Sequence, residues 1–372
     1  MLATLILEDG TVLKGESFGA EGTSVGEIVF NTSMVGYQEI LTDPSYANQI
    51  IVMTYPEIGN YGLNDDDFES EKPRCKGFIV KNSCENDSHY KSRQNISTYL
   101  KNNGIIGIEG VDTRLLTKKI REFGVMNCLI TTENTDDNNF SEKLAQLKGY
   151  MPNKDVVLEV TPEKSYVINE NGDINLAMID YGCKTGITDS LAKRGCKITV
   201  FPANTDAETI LGGNFDSVFL SNGPGDPADC KIELQTIEKL IGKTPIFGIC
   251  LGYQLLSIAL GAKTYKLKYG HRGANHPVIN MLDKKVMMTS QNHGYAVDTG
   301  SLTQIMEQTY KNLNDDTMEG FRSESLKIEA VQFHPEANPG PTDAAVIFDD
   351  WIEKMREYKK APVRKAEEMA SL

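Results

Sequence analysis

No apolar run in the sequence approaches the ~18 residues that a membrane-spanning helix needs. Basic charge is short as well: 38 Lys and Arg face 52 Asp and Glu, a formal net charge of −14. That deficit excludes a general binder of nucleic acid or anionic membrane, which requires a basic face. The one basic-leaning cluster, KKAPVRK from Lys359 to Lys365, is short and reads as a solvated tail. The seven cysteines never form a C-x-x-C pair. Neither a disulfide framework nor a zinc site is indicated, and a reducing cytoplasm is the expected compartment. No P-loop, no dinucleotide glycine pattern, no long repeat and no low-complexity tract is present. The opening MLATLILEDGTVLKG has no basic leader. Glu8 and Asp9 interrupt its apolar segment, which reads as a β-hairpin turning at Asp9-Gly10 and not as a signal peptide.

What is present is enough chain, 372 residues, for two cores. Up to about residue 130 short β-like runs alternate with glycine and proline breaks. Two short helices are expected: SRQNISTYLKNNG, stopped at Gly104, and DTRLLTKKIREFG, with Asp112 as N-cap and Gly124 as the stop. This predicts a smaller N-terminal α+β domain over 1–152. A polar stretch, 153–173, reads as a linker. From Ile174 the rhythm changes to strand–turn–helix, with INLAMID, CKITVFP, FDSVFLS and TPIFGI as strands, each followed by a helical pattern. This predicts an α/β domain over 174–360 with a mainly parallel sheet flanked by helices, and a flexible tail over 361–372. Ligands of such sheets sit at the carboxyl ends of the strands. The loops SNGPGDP, GICLG and FHPEANPGP therefore carry the most interest.

Cys250 follows the strand TPIFGI directly and opens a helix. Gly248-Ile249-Cys250-Leu251-Gly252 has the form of a nucleophile elbow with cysteine in place of serine. Such a turn crowds the backbone on either side of the nucleophile, where only glycine fits. The alternative is a buried core cysteine, the usual fate of a free thiol. A nucleophile needs a base, and His334 ends the strand LKIEAVQF at the same sheet edge. Glu336, two residues on, can hold the imidazole. Gly223 and Gly225 allow backbone N–H groups to approach a small ligand; with the N–H of Leu251 they suggest an oxyanion hole, although a plain tight turn has the same sequence. Gln254 lies one helical turn after Cys250, on the same face. His271 and His276 lack nearby carboxylates, no acid follows His293, and no metal site is expected.

With these residues assembled, PIFGICLGYQ and FHPE resemble the nucleophile and His-x-Glu motifs of class I glutamine amidotransferases. LSNGPGDP, GHRGANHPV, QNHGYAVD and HPEANPGPTDAA narrow the resemblance to the small subunits of carbamoyl phosphate synthetases. GEIVFNTSMVGYQEILTDPSYANQIIVMTYPEIGNYG and GVDTRLLTKKIREFG resemble the N-terminal domain of that family. The resemblance implies the class I amidotransferase fold, with Cys250 as nucleophile, His334 as general base and acid, and Glu336 as its orienting partner. It also implies glutamine contacts at Ser45, Gly223, Gly225, Leu251, Gln254, Asn292, Gly294 and Tyr295. It implies a large synthetase subunit as partner in a heterodimer or higher oligomer, carrying ATP and magnesium, and no cofactor in this chain. Two positions depart from the family pattern: Tyr295 stands where phenylalanine is expected, and Gly186 where asparagine is expected.

Overall fold

The computed structural model describes residues 1–135 and 137–360; the expected tail over 361–372 lies outside them. The chain forms two compact units. The first comprises Met1–Asn153 with Lys268–Gly273; the second comprises the remainder from Lys154.

The first unit is a closed seven-stranded barrel with helices. In chain order its elements are β1 (Leu2–Leu7), β2 (Val12–Ser17), β3 (Thr23–Asn31), α1 (Tyr37–Thr42), β4 (Gln49–Met53), β5 (Glu57–Ile58), β6 (Gly77–Ile79), β7 (Asn82–Ser83), α2 (Ile96–Asn102), β8 (Ile106–Glu109), α3 (Thr113–Phe123), β9 (Met126–Thr131) and α4 (Asp137–Lys148). The barrel order is β1-β2-β8-β6-β4-β3-β9, closed by β1 against β9. The sequence reading anticipated α+β content but not closure, which rests on pairings such as Thr4 with Thr131. Alternation divides the strands between two cores. Ile28, Phe30, Ile50 and Val52 pack with Leu116 and Ile120 of α3. Val29, Ile51 and Met53 pack with Tyr37, Ile40, Tyr99 and Leu100 of α1 and α2. Burying each large aliphatic side chain stabilises the fold by about 1.5–3 kcal/mol. The expected caps are in place: Asp112 accepts from Leu115 N at 2.8 Å, and Gly124 ends α3 at φ 95°.

In the second unit, residues 154–173 are no bare linker. They carry α5 (Val156–Val160) and β10 (Tyr166–Ile168), and β10 pairs antiparallel with a strand of the main sheet. There follow β11 (Ile174–Asp180), α6 (Thr185–Lys193), β12 (Cys196–Pro202), α7 (Ala207–Gly212), β13 (Ser217–Leu220), α8 (Lys231–Leu240), β14 (Ile246–Ile249), α9 (Leu251–Ala259), β15 (Thr264–Asn280), β16 (Val286–Val297), β17 (Glu307–Asn312), β18 (Met318–Ser323), β19 (Ile328–Val331) and α10 (Val346–Lys360). The ten strands run β10-β12-β11-β13-β14-β19-β18-β17-β15-β16. Only β12-β11-β13-β14-β19 is parallel. The sheet is thus mixed, not mainly parallel: β15–β18 add an antiparallel half that the sequence reading did not resolve.

Both faces of the parallel part are covered, as its strand–helix rhythm requires. Ala177, Ile179, Val218 and Leu220 face α7, α8 and α9. Leu176, Met178, Phe219 and Phe247 face α6 and α10, where Trp351 is buried among Phe219, Phe247 and Phe348. Ile179 pairs with Leu220, Leu220 with Gly248, and Ile249 with Val331. The carboxyl ends of β11, β13, β14 and β19 therefore fall side by side, and the loops that leave them converge on one edge.

Candidate active site

The chain turns sharply between β14 and α9, and Cys250 holds the corner at φ 53° and ψ −102°. A side chain is strained in that region. A β-carbon on Gly252 would lie 2.4 Å from the Leu220 carbonyl oxygen, and one on Gly248 would lie 3.0 Å from the Gly252 carbonyl carbon. The two glycines thus supply the clearance inferred from the sequence. The corner is tied down on both sides. Cys250 N donates to Val331 O at 2.9 Å, and Gly252 N donates to Ser221 O at 3.0 Å. The sulfur is buried, and its S–H is directed at Asn292 O, 3.7 Å away.

His334 follows β19, and its backbone N–H donates to Ser290 O at 2.9 Å. The imidazole is buried, with Nδ1 donating to Glu336 Oε1 at 2.6 Å. Burial pulls the pKa of the ring down. The charge of Glu336 and hydrogen bonding with Cys250 and Glu336 outweigh that, and the pKa rises above its ordinary 6.5. Nε2 has no hydrogen bond of full geometry, yet the thiol is close enough to contribute to that rise. Loose alignment of this kind is common before substrate binds. Glu336 is subject to the opposite balance. Burial would push its carboxyl up, but Lys184 and His334 hold it well below its ordinary 4.5.

Lys184 is the group that sequence reasoning missed. Its ammonium lies 3.0 Å from Glu336 Oε1 and donates to Ala337 O at 2.7 Å, and its backbone N–H donates to Asn222 Oδ1 at 3.0 Å. The only sign in the sequence was its place in DYGCKTG, at the carboxyl end of β11.

The remaining candidates lie on the loop after β13, on α9, on β16 and in the first unit. Gly223 and Gly225 line the β13 loop. A β-carbon on Gly223 would meet Tyr181 O at 2.3 Å, and Gly225 takes φ 98°. Leu251 is the first residue of α9, next to the sulfur. Gln254 is buried, and its amide nitrogen is already engaged, donating to Tyr295 O and Gln332 Oε1 at 2.9 Å each. Asn292, Gly294 and Tyr295 lie on β16, which passes the thiol through Asn292 O. Ser45 belongs to the first unit, in a short turn where its N–H donates to Asp43 Oδ1 at 2.9 Å.

Comparison with known proteins adds to this geometry. Residues 5–130 match the carbamoyl-phosphate synthase small chain, CPSase domain, and residues 177–354 match glutamine amidotransferase class-I. A carbamoyl phosphate synthase small chain of Clostridium acetobutylicum is 50% identical, over 95% of this chain and 99% of that protein. The corresponding protein of Archaeoglobus fulgidus is 47% identical, over 96% of this chain and 100% of its own length. The chain belongs to the carbamoyl phosphate synthase small-chain family. Its second unit is accordingly a class I glutamine amidotransferase domain, the glutaminase part of this family, which provides ammonia for carbamoyl phosphate synthesis. The match over 5–130 separates it from amidotransferases that serve other synthases. Among the described residues no helix is long and apolar enough to cross a membrane.

Proposed function

We infer that Cys250, His334 and Glu336 carry out glutamine hydrolysis through a thioester. The observation that supports this most is the convergence of the strained Cys250 corner with an imidazole whose proton affinity is raised by a buried carboxylate. His334 takes the thiol proton, and the sulfur attacks the side-chain carboxamide carbon of glutamine. Backbone N–H groups near Leu251 and Gly223 receive the oxyanion. His334 then protonates the departing ammonia and activates water to release glutamate. Asn292, Gly294, Tyr295, Gly225 and Gln254 complete the glutamine contacts of the second unit, Gln254 by holding Tyr295 in place as well as through its own surface.

Free ammonia in neutral water is mostly ammonium, which is no nucleophile, so it passes to a large synthetase chain without meeting bulk solvent. That partner holds ATP, magnesium and bicarbonate; this chain needs no cofactor for its half-reaction. The seven free thiols fit a reducing cytoplasm. The test is ATP-dependent carbamoyl phosphate formation by the large chain, from glutamine and from ammonia, with and without this chain. Dependence on this chain with glutamine alone is expected, together with its loss in Cys250→Ser. Equal glutamine use without this chain, or by the serine variant, would refute the assignment.

A further inference from the structure

Beside the catalytic residues runs a buried polar network that the reaction scheme does not use. His293, on β16, has oxygen against both ring nitrogens. Nδ1 lies 2.7 Å from Tyr295 O, and Nε2 lies 2.9 Å from Gln291 Oε1. A backbone carbonyl only accepts, so Nδ1 carries a proton. The state of Nε2 depends on which way the Gln291 amide faces, and three other contacts determine that. Gln291 Nε2 donates to Glu319 Oε2 at 3.0 Å and to Thr289 Oγ1 at 3.2 Å. The Thr289 hydroxyl spends its own proton on His276 O at 2.9 Å, so toward Gln291 it can only accept. Glu319 is fully buried and also accepts from Asn312 Nδ2 at 2.9 Å. The amide NH2 is thus committed to two acceptors, and its oxygen is left facing His293. Nε2 must donate as well.

We propose that His293 is held as an imidazolium, and that Glu319, acting through Gln291, is the positioning residue that keeps it so. The buried carboxylate balances the buried cation one amide away; His271 on β15, with a ring nitrogen within 4.8 Å of both His293 and Glu319, is a further buried titratable side chain that faces the pair. The consequence reaches the site through Tyr295. Its carbonyl accepts from His293 Nδ1 and from Gln254 Nε2 together, and the same segment presents Asn292 O to the Cys250 thiol. The relay therefore fixes the stretch that bears three of the proposed glutamine contacts. This part of the inference rests on the proposed function; the protonation state does not. The sequence offered no sign of it, because no acid follows His293 and the carboxylate arrives from β18.

Histidine-selective 15N labelling of the full chain reads the protonation state directly, with the His293 signals assigned by their loss in His293→Asn. At pH about 8, well above the ordinary histidine value, both ring nitrogens of His293 are expected to be protonated in the unaltered protein. A neutral ring with one bare nitrogen overturns the proposal. Glu319→Gln frees the Gln291 amide to turn, and His293 should become neutral. In the complex with the large chain, KM for glutamine should rise about tenfold, with kcat changed less than about threefold. Gln291→Glu combined with Glu319→Gln returns an acceptor-only group to Nε2 and should restore both the imidazolium and the KM. A merely structural role for Glu319 predicts no such rescue, and its absence counts against the relay. If the unaltered complex hydrolyses no glutamine, the functional reading fails, while the spectrum still decides the imidazolium.

Discussion

The ammonium of Lys184 lies 3.0 Å from the Glu336 carboxylate, and both side chains are buried. Glu336 thus stands between two cationic partners, Lys184 and the protonated form of His334. Removing Lys184 leaves a buried carboxylate with the imidazole as its remaining charged partner. Lys184→Met should cost about 3 kcal/mol, the scale for breaking a buried ion pair from one side. Urea denaturation of the full chain measures this. The same variant should lower kcat/KM for glutamine, because Glu336 is no longer held at one position beneath the imidazole. A variant as stable and as active as the parent would show that the contact contributes nothing.

The triad predicts a stability profile with two limbs. The pKa of Glu336 is depressed below its ordinary 4.5, so its contribution is complete above that value and is lost as pH falls through the folded value. The pKa of His334 is raised above its ordinary 6.5, so its contribution is complete below that value and is lost as pH rises through the folded value. The two contributions overlap fully between about pH 4.5 and 6.5. In Glu336→Gln the acid limb should flatten, and so should the alkaline limb, since the carboxylate raises the imidazole. Unfolding free energy against pH, compared between parent and variant, checks both slopes.

The glycines of the elbow differ in what surrounds them. A β-carbon on Gly252 meets the Leu220 carbonyl oxygen at 2.4 Å, a backbone atom of an interior strand that cannot give way cheaply. On Gly248 the nearest contacts are at 3.0 Å, one of them the flexible end of Leu256. Gly252→Ala should therefore destabilise by about 2 kcal/mol or more and abolish glutaminase activity, with Gly248→Ala the milder of the two. Thermal unfolding and glutamine hydrolysis of the pair establish the order.

How far the sequence foretold this site follows from the range of the interactions involved. The elbow and the parallel strands were legible because each is local: an apolar run, a glycine-framed turn, a helical pattern. His334 and Glu336 were legible because proline stops the strand beside them. The barrel was not, because closure joins Thr4 to Thr131 and local pattern carries no trace of that register. The antiparallel half was missed because β15 mixes glycine, histidine and charge across 17 residues and lacks clean alternation. Residues 153–173 looked like a linker because Tyr166–Ile168 is a mostly exposed edge strand of only three residues, set between polar stretches. Lys184 was passed over since a lysine after a strand is ordinarily solvated, and only the fold brings Glu336 to it.

Cys250 itself yields the sharpest contrast between stability and chemistry. At φ 53° a β-carbon is strained, at a cost on the order of 1–3 kcal/mol. In an ordinary buried position alanine is more stable than glycine by about 0.5–1 kcal/mol, because glycine loses more backbone freedom on folding. Here the strain term exceeds the entropy term and the order reverses. Cys250→Gly should be more stable than Cys250→Ala by about 1 kcal/mol, and both should be inactive. Urea midpoints at unchanged m-value test the difference without reference to activity. The usual order, alanine above glycine, would show that the corner stores no strain. The predicted order would mean that a thiol occupies a position that backbone energetics alone would assign to glycine, as expected where a nucleophile is held out of a sharp turn at some expense in stability.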